Sequence, residues 1–415
     1  MPKPKFVFLI YFIATFFAGK LSAQIVKTTS ATSATTDSLK NLQDSLVKQK
    51  DILDLIHQTF HKKGTPDVFS TPKQFNFSIV PSAGYTLSTG LAVGLTGNVA
   101  FFVEPKEHEN LSSINSNLGY NQRSQLTFKI GSNIWTKNNK FNLVGDWRVY
   151  KFPENTYGLG TATPADNLNP IKYGLIRFYE TVLRELTKNL YGGIGYALDY
   201  HFNIVQNGPA NQDVTGFQLY GQTSKSVSSG ITYNLLYDNR KSSINPLNGT
   251  YANLIYRPNL KWLGSDSEWR SLSFDFRKYV PLSQNGKSLL AFWSLDVFTL
   301  SGQPPYFDLP STGWDMGGNT GRGYVQGRFR GKDMFYAEAE YRVDFTKNGL
   351  LGGVLFLNGE SFTDYPANRF QKIQPGYGPG LRVKFNKRSD TNIAIDYGIG
   401  QNGSHGLFVN LGEVF

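Results

Sequence analysis

Hydrophobic and polar positions follow three successive rhythms along the chain. Phe6–Phe17 is an apolar core behind Lys3 and Lys5, and small residues follow it before a cut expected after Leu21-Ser22-Ala23. That is the pattern of a secretory signal peptide over residues 1–23, too short to cross a bilayer as a helix. A Ser/Thr-rich stretch, 24–37, reads as an unstructured leader. Next, Leu39, Leu42, Leu46, Leu53, Ile56 and Phe60 recur at steps of three and four, with Gln49 filling the missing place. This spacing predicts an amphipathic helix over 38–63, closed by Gly64, lying on the barrel mouth or docking a periplasmic protein partner.

From Phe75 the period drops to two. Leu126, Phe128, Ile130 and Ile134 oppose Thr127, Lys129 and Asn133; Phe141, Leu143, Trp147 and Val149 oppose Asn142, Asp146 and Arg148; Thr136–Lys140 is a polar turn between them. The alternation returns in Leu289-Ala291-Trp293-Leu295-Val297, Phe335-Ala337-Ala339-Tyr341-Val343, Leu381-Val383-Phe385 and Ile393-Ile395-Tyr397-Ile399. Asp296, Glu338, Glu340, Arg342, Arg382, Lys384 and Asp396 take the opposite face. A soluble sandwich would put that polar face outside, whereas a membrane barrel puts it in the lumen. The export signal, the charged share of the polar faces and a strand running from Leu407 to Phe415 favour the barrel. Residues 74–415 hold sixteen strands at about 21 residues each with connections. The expected fold is thus an all-β transmembrane antiparallel barrel, with the cell outer membrane as its location and lipid as its surroundings.

Composition sharpens this picture. Mean hydropathy is only −0.32 despite 14% aromatic residues and 42 Gly, because apolar and charged residues alternate and cancel in the mean. The formal charge of +11 falls to +8 without Lys3, Lys5 and Lys20 and contains no Lys/Arg block, which argues against a nucleic-acid partner. There is no Cys, so disulfides, thiolate metal sites and a lipid-modified anchor are excluded.

Five segments carry a family resemblance. They are Tyr237-Asp238-Asn239-Arg240 with Asn245-Pro246-Leu247-Asn248-Gly249-Thr250-Tyr251, Thr320-Gly321-Arg322-Gly323-Tyr324 with Gly327-Arg328-Phe329-Arg330-Gly331, Glu338-Ala339-Glu340-Tyr341-Arg342, Gly378-Pro379-Gly380-Leu381-Arg382, and Ile395-Asp396-Tyr397-Gly398. In this order they resemble the bacterial surface antigen superfamily of sixteen-stranded outer-membrane barrels, which includes the BamA/TamA insertases and two-partner secretion transporters. The resemblance implies that Arg322, with Gly323 and Tyr324, sits at the tip of a loop folded into the lumen. Its implied wall partner is Glu340, with Glu338, Arg342, Arg382 and Asp396 as further lumen charges. The long Gly- and Pro-rich segment Ser301–Asp333 agrees with such a loop. Asn358 stands where relatives carry a second acid, and POTRA receptor modules are not found.

Other motifs carry less. Gly398-Ile399-Gly400-Gln401-Asn402-Gly403 has the letters of a dinucleotide fingerprint but joins two strands, so it reads as a turn. His57 and His61 are four apart without an acidic third ligand nearby, which leaves a solvated helix face and no metal. Neither a nucleophile elbow nor a phosphate loop is found, and Glu338 and Glu340 beside Arg342 read as lumen wall, so neither enzyme activity nor a cofactor is expected.

The functional expectation is a monomeric barrel, plugged by the Arg322 loop, acting as an accessory in outer-membrane biogenesis or protein export. A passive solute channel and an adhesive surface antigen are the alternatives. Pro81, which lacks a ladder donor, together with Gly406, Gly412 and Phe415, has two readings: a weakly paired seam between first and last strands, or a proline that simply marks the end of its strand.

Overall fold

A computed structural model of the chain describes residues 49–52, 54–55, 75–86, 90–103, 110–283, 287–387 and 390–415. The signal peptide 1–23, the leader 24–37 and most of the helix expected over 38–63, with His57 and His61, lie outside the described residues. Of that expected segment only 49–52 and 54–55 are described. There Gln49–Asp51 is not helical, and Asp51 Oδ1 accepts from Asp54 N at 2.8 Å, as an N-cap does.

Among the described residues, sixteen antiparallel strands form one sheet in which each strand pairs with its neighbours in sequence. They are β1 (Phe75–Thr86), β2 (Gly90–Phe101), β3 (Ser112–Asn121), β4 (Leu126–Trp135), β5 (Phe141–Thr156), β6 (Asn169–Thr187), β7 (Leu190–Gln206) and β8 (Ser226–Asp238). The rest are β9 (Gly249–Asn259), β10 (Trp269–Pro281), β11 (Ser288–Gly302), β12 (Met334–Asp344), β13 (Leu351–Phe362), β14 (Gln374–Asn386), β15 (Thr391–Ile399) and β16 (His405–Leu411). β1 and β16 lie against one another, but among the described residues no ladder joins them.

Because strand side chains alternate, burial reports which way each residue faces. On β12 the charged Glu338, Glu340 and Arg342 are buried and Tyr341 is exposed; on β5, Asp146 and Arg148 are buried while Trp147 and Val149 are exposed. The polar face is therefore the lumen and the apolar face the outer wall, the inverse of a soluble protein. The lumen is filled by side chains and by the segment 303–333 between β11 and β12.

β11 departs from the sequence expectation. Leu289, Ala291 and Trp293 pair with Arg342, Glu340 and Glu338, so this apolar set faces inward, and Asp296, paired with Phe335, stands on the outer side. The cause is what β11 meets inside. Trp293 packs edge-on against Tyr336 at 5.1 Å and lies over Phe415 at 5.2 Å, while its Nε1 donates to Asp275 Oδ1 at 2.9 Å. Asp296 is buried on the outer side and accepts from Ser294 Oγ at 3.2 Å.

The final strand also differs. It ends at Leu411, not Phe415, because Gly412 adopts φ +99°, a conformation open to glycine. Gly412 N then donates to Asn392 O at 2.8 Å and Glu413 N to Ile244 O at 3.2 Å, which turns Glu413–Phe415 across the mouth and into the lumen. On the same short-turn rim, the Lys50 amide donates to Asn348 O at 3.1 Å, and Lys387 binds Asp54 at 2.7 Å.

The facing of β11 predicts unequal costs for neighbouring truncations. Trp293→Ala should destabilise the barrel by roughly 3–5 kcal/mol, and the exposed Phe292→Ala by clearly less. Urea unfolding followed by heat-modifiable gel mobility measures both, and a reversed order would place β11 the other way round.

Candidate functional site

The segment between β11 and β12 is a folded hairpin. Its stem is set by the Ser311–Arg330 bridge, by Thr312 N donating to Phe329 O at 3.0 Å, and by Gly327 N donating to Thr312 O at 2.9 Å. Its tip is wound on Asp315. Oδ1 accepts from the amides of Asn319 and Thr320, both at 2.8 Å, and Oδ2 from those of Gly317 and Gly318 at 2.8 and 3.0 Å.

Arg322 leaves this hairpin toward the wall and is 1% exposed. Its Nη2 donates to Glu338 and Glu340 on β12, and its Nη1 to Asp396 on β15. The guanidinium also lies 3.8 Å from the ring centre of Phe356 on β13. Around this hub the remaining charges close a network. Arg342 Nε donates to Glu340 at 2.6 Å, Arg382 Nη1 to Asp396 at 2.5 Å, and the Tyr336 hydroxyl to Glu338. The backbone of the motif is held too: Asn358 Nδ2 donates to Arg322 O at 3.0 Å, Ser404 Oγ to Gly323 O at 2.7 Å, and Tyr324 Oη to Pro375 O at 2.7 Å. Gly323 has φ +115°, and a Cβ there would stand 2.9 Å from Ile399 O, so the approach to β15 requires glycine.

Further anchors fix the hairpin on the opposite wall. Lys129 and Arg148 donate to Met316 O, and Arg330 Nη2 donates to Glu154 Oε1 at 3.2 Å, which also accepts from Tyr173 Oη. Asp308 accepts from Ser228 Oγ at 2.5 Å and lies 3.5 Å from His201 Nδ1. Burial, together with the Asp199 carboxylate, pushes the Asp308 carboxyl up to about 7.

The tail joins the same network. Glu413 accepts from Arg382 Nε and Asn392 Nδ2, each at 2.7 Å, and Phe415 O accepts from Arg342 Nη2 at 3.1 Å. Burial alone would raise the Glu413 carboxyl, yet Arg382 and Arg342 hold it below the ordinary carboxylate range.

Arg322, Glu338, Glu340, Arg342, Arg382 and Asp396 thus meet in one place, with Gly323 and Tyr324 packed above them. The seam residues do not: Pro81 pairs with Leu95 on β2, Gly406 with Gly398 on β15, and Phe415 is inside the lumen. Sequence reasoning missed Glu413, the inward facing of Trp293 and the Asp199 cluster, where Arg177 Nε donates at 2.6 Å and Arg257 Nη1 at 2.8 Å. It also missed Glu360, which is fully buried and accepts from Thr312 Oγ1 at 3.0 Å. Alternation alone could have flagged Arg177, Asp199 and Arg257 as inward charges on their strands.

Removing the hub leaves three carboxylates facing one another without their shared cation, so Arg322→Ala should cost roughly 3–5 kcal/mol. Arg322→Lys, one point charge for three acceptors, should recover only part of this in the same urea unfolding measurement. Among solved structures, the barrel resembles BamA from Haemophilus ducreyi lacking POTRA domains 1–3, with TM-score 0.50, 15% identity, and 93% of this chain and 79% of that one covered. It also resembles CdiB from Acinetobacter baumannii, with TM-score 0.54, 13% identity and coverage of 82% and 60%. CdiB from Escherichia coli gives TM-score 0.52, 11% identity and coverage of 80% and 61%. The chain thus spans about three fifths of the CdiB chains, and at these identities the likeness is one of fold. A comparison with curated protein sequences finds no significant match. The Omp85 superfamily domain matches residues 71–400, and the chain belongs to the Omp85 superfamily.

Proposed function

We propose that this protein is a plugged outer-membrane barrel that assists outer-membrane biogenesis or protein export. The observation that carries the reading is a contrast within the wall. Among the described residues, fifteen strand pairs are laddered and the lumen is filled, whereas the two ends of the sheet touch without a ladder. A barrel closed along its axis and weakly closed at its side is suited to handling a chain at the seam rather than to passing solutes through the pore. Superfamily relatives of the BamA and CdiB type support a role in insertion or secretion. Glu338 and Glu340 are engaged by Arg322, Arg342 and Tyr336, which supports a structural wall rather than a catalytic acid pair.

Two measurements test the reading. A cysteine in β1 and one in β16 should cross-link readily in a chain that has none of its own, and locking the seam should lower outer-membrane protein levels or growth. Unchanged growth and protein levels in the locked state would exclude a working seam. In planar bilayers the native barrel should conduct little and Arg322→Ala more, because the loop loses its wall contact. Equal conductance would remove the plug, and high conductance in both would favour a passive channel.

A further inference from the structure

The floor of the lumen encloses Glu413–Phe415. The Phe415 ring lies 5.2 Å from Trp293 and 6.2 Å from Tyr279, and the Arg342 guanidinium stands 5.0 Å over it. Two residues earlier, Glu413 is held by Arg382 and Asn392. Val414 and Phe415 are buried, and the Glu413 carboxylate is enclosed with them. The pocket has donors beyond those the tail engages: Arg342 Nη1 and the Tyr279 hydroxyl are buried and make no hydrogen bond. An aromatic face, a cation over it and a second Arg–Asn pair fit one chemistry, a peptide segment with an aromatic ring and an acidic residue two places before it.

The seat is coupled to the plug by direct contact. Asn319 at the loop tip donates from Nδ2 to Val414 O at 2.8 Å, inside the lumen. Arg342 touches both Glu340, which holds Arg322, and Phe415 O. Tyr324 and Phe329 of the loop belong to the same buried cluster as Trp293, Val414 and Phe415. The loop enters from the long-loop rim and the tail from the short-turn rim, and each supports the other's tip.

We propose that this pocket is a docking site for a Glu-x-Phe segment, that Glu413–Phe415 is its resident ligand, and that seating the tail holds the plug loop in place. The site is separate from the seam, so it stands whether or not the seam handles client chains.

The test uses the full chain in detergent micelles with one reporter, Thr320→Cys, at a buried loop-tip position. The Asp315 turn keeps its bonds to Gly317, Gly318 and Asn319 in that variant. Maleimide should label the introduced thiol slowly in the otherwise native chain and about tenfold faster with Phe415→Ala, as expected for a locally opened element. Adding a synthetic peptide of residues 405–415 should restore slow labelling, and the same peptide with Phe415→Ala should not. Trp293→Leu, which leaves the tail intact, is the second variant should Phe415→Ala not fold, and it should also speed labelling. Unchanged labelling in a folded variant would overturn the coupling. Failure of the peptide to restore protection, or equal restoration by its Phe415→Ala form, would overturn the docking site.

Discussion

A single cation buried among carboxylates governs this barrel. Arg322 is enclosed in the lumen, and a guanidinium removed from water is tolerated only when its donors find acceptors of fixed position. Glu338, Glu340 and Asp396 supply them from two strands separated by β13 and β14. Those acids need further cations in turn, and Arg342 and Arg382 answer them. Arg382 reaches Glu413 and Arg342 reaches Phe415, so the chain of obligations passes from the loop through the wall into the tail. Removing one member of such a network is costly, because a buried charge left without its partner costs more than an apolar replacement of the whole set.

The facing of the strands follows from the same constraint. Where the lumen holds the charged hub, β12, β14 and β15 turn their polar residues inward. Where it holds Glu413–Phe415 and the Tyr324 and Phe329 rings of the loop, β11 turns Leu289, Ala291 and Trp293 inward, since those neighbours are aromatic rings and not water. Alternation is thus a rule about periodicity, and the contents of the lumen decide which half of the period is polar.

Much of this is legible in the residues. Period-two alternation locates β4 at its observed ends, and the length of the Ser301–Asp333 segment marks the inward hairpin. The motif around Arg322 leads to Glu340, and alternation on β12 and β15 leads to Glu338 and Asp396. The remainder depends on contacts distant in sequence. Asp296 reads as a lumen charge because strand periodicity carries no sign, and only pairing with Phe335 sets it outside. Leu407–Phe415 reads as one strand because a single Gly412 at positive φ leaves no trace in the alternation. Glu413 becomes part of the site only once that turn brings it beside Arg382.

A loop anchored through Arg322 is held as firmly as the wall it touches. Hydrogen–deuterium exchange of the folded barrel measures this directly at Tyr324, Gly327 and Arg328, whose amides donate to Gly321 O, Thr312 O and Val325 O. These amides should exchange as slowly as those of β12 and lose protection together when Arg322 is replaced by Gln. Exchange at the rate of an unstructured loop in the native barrel would contradict the buried Arg322 hub as the element that fixes the structure.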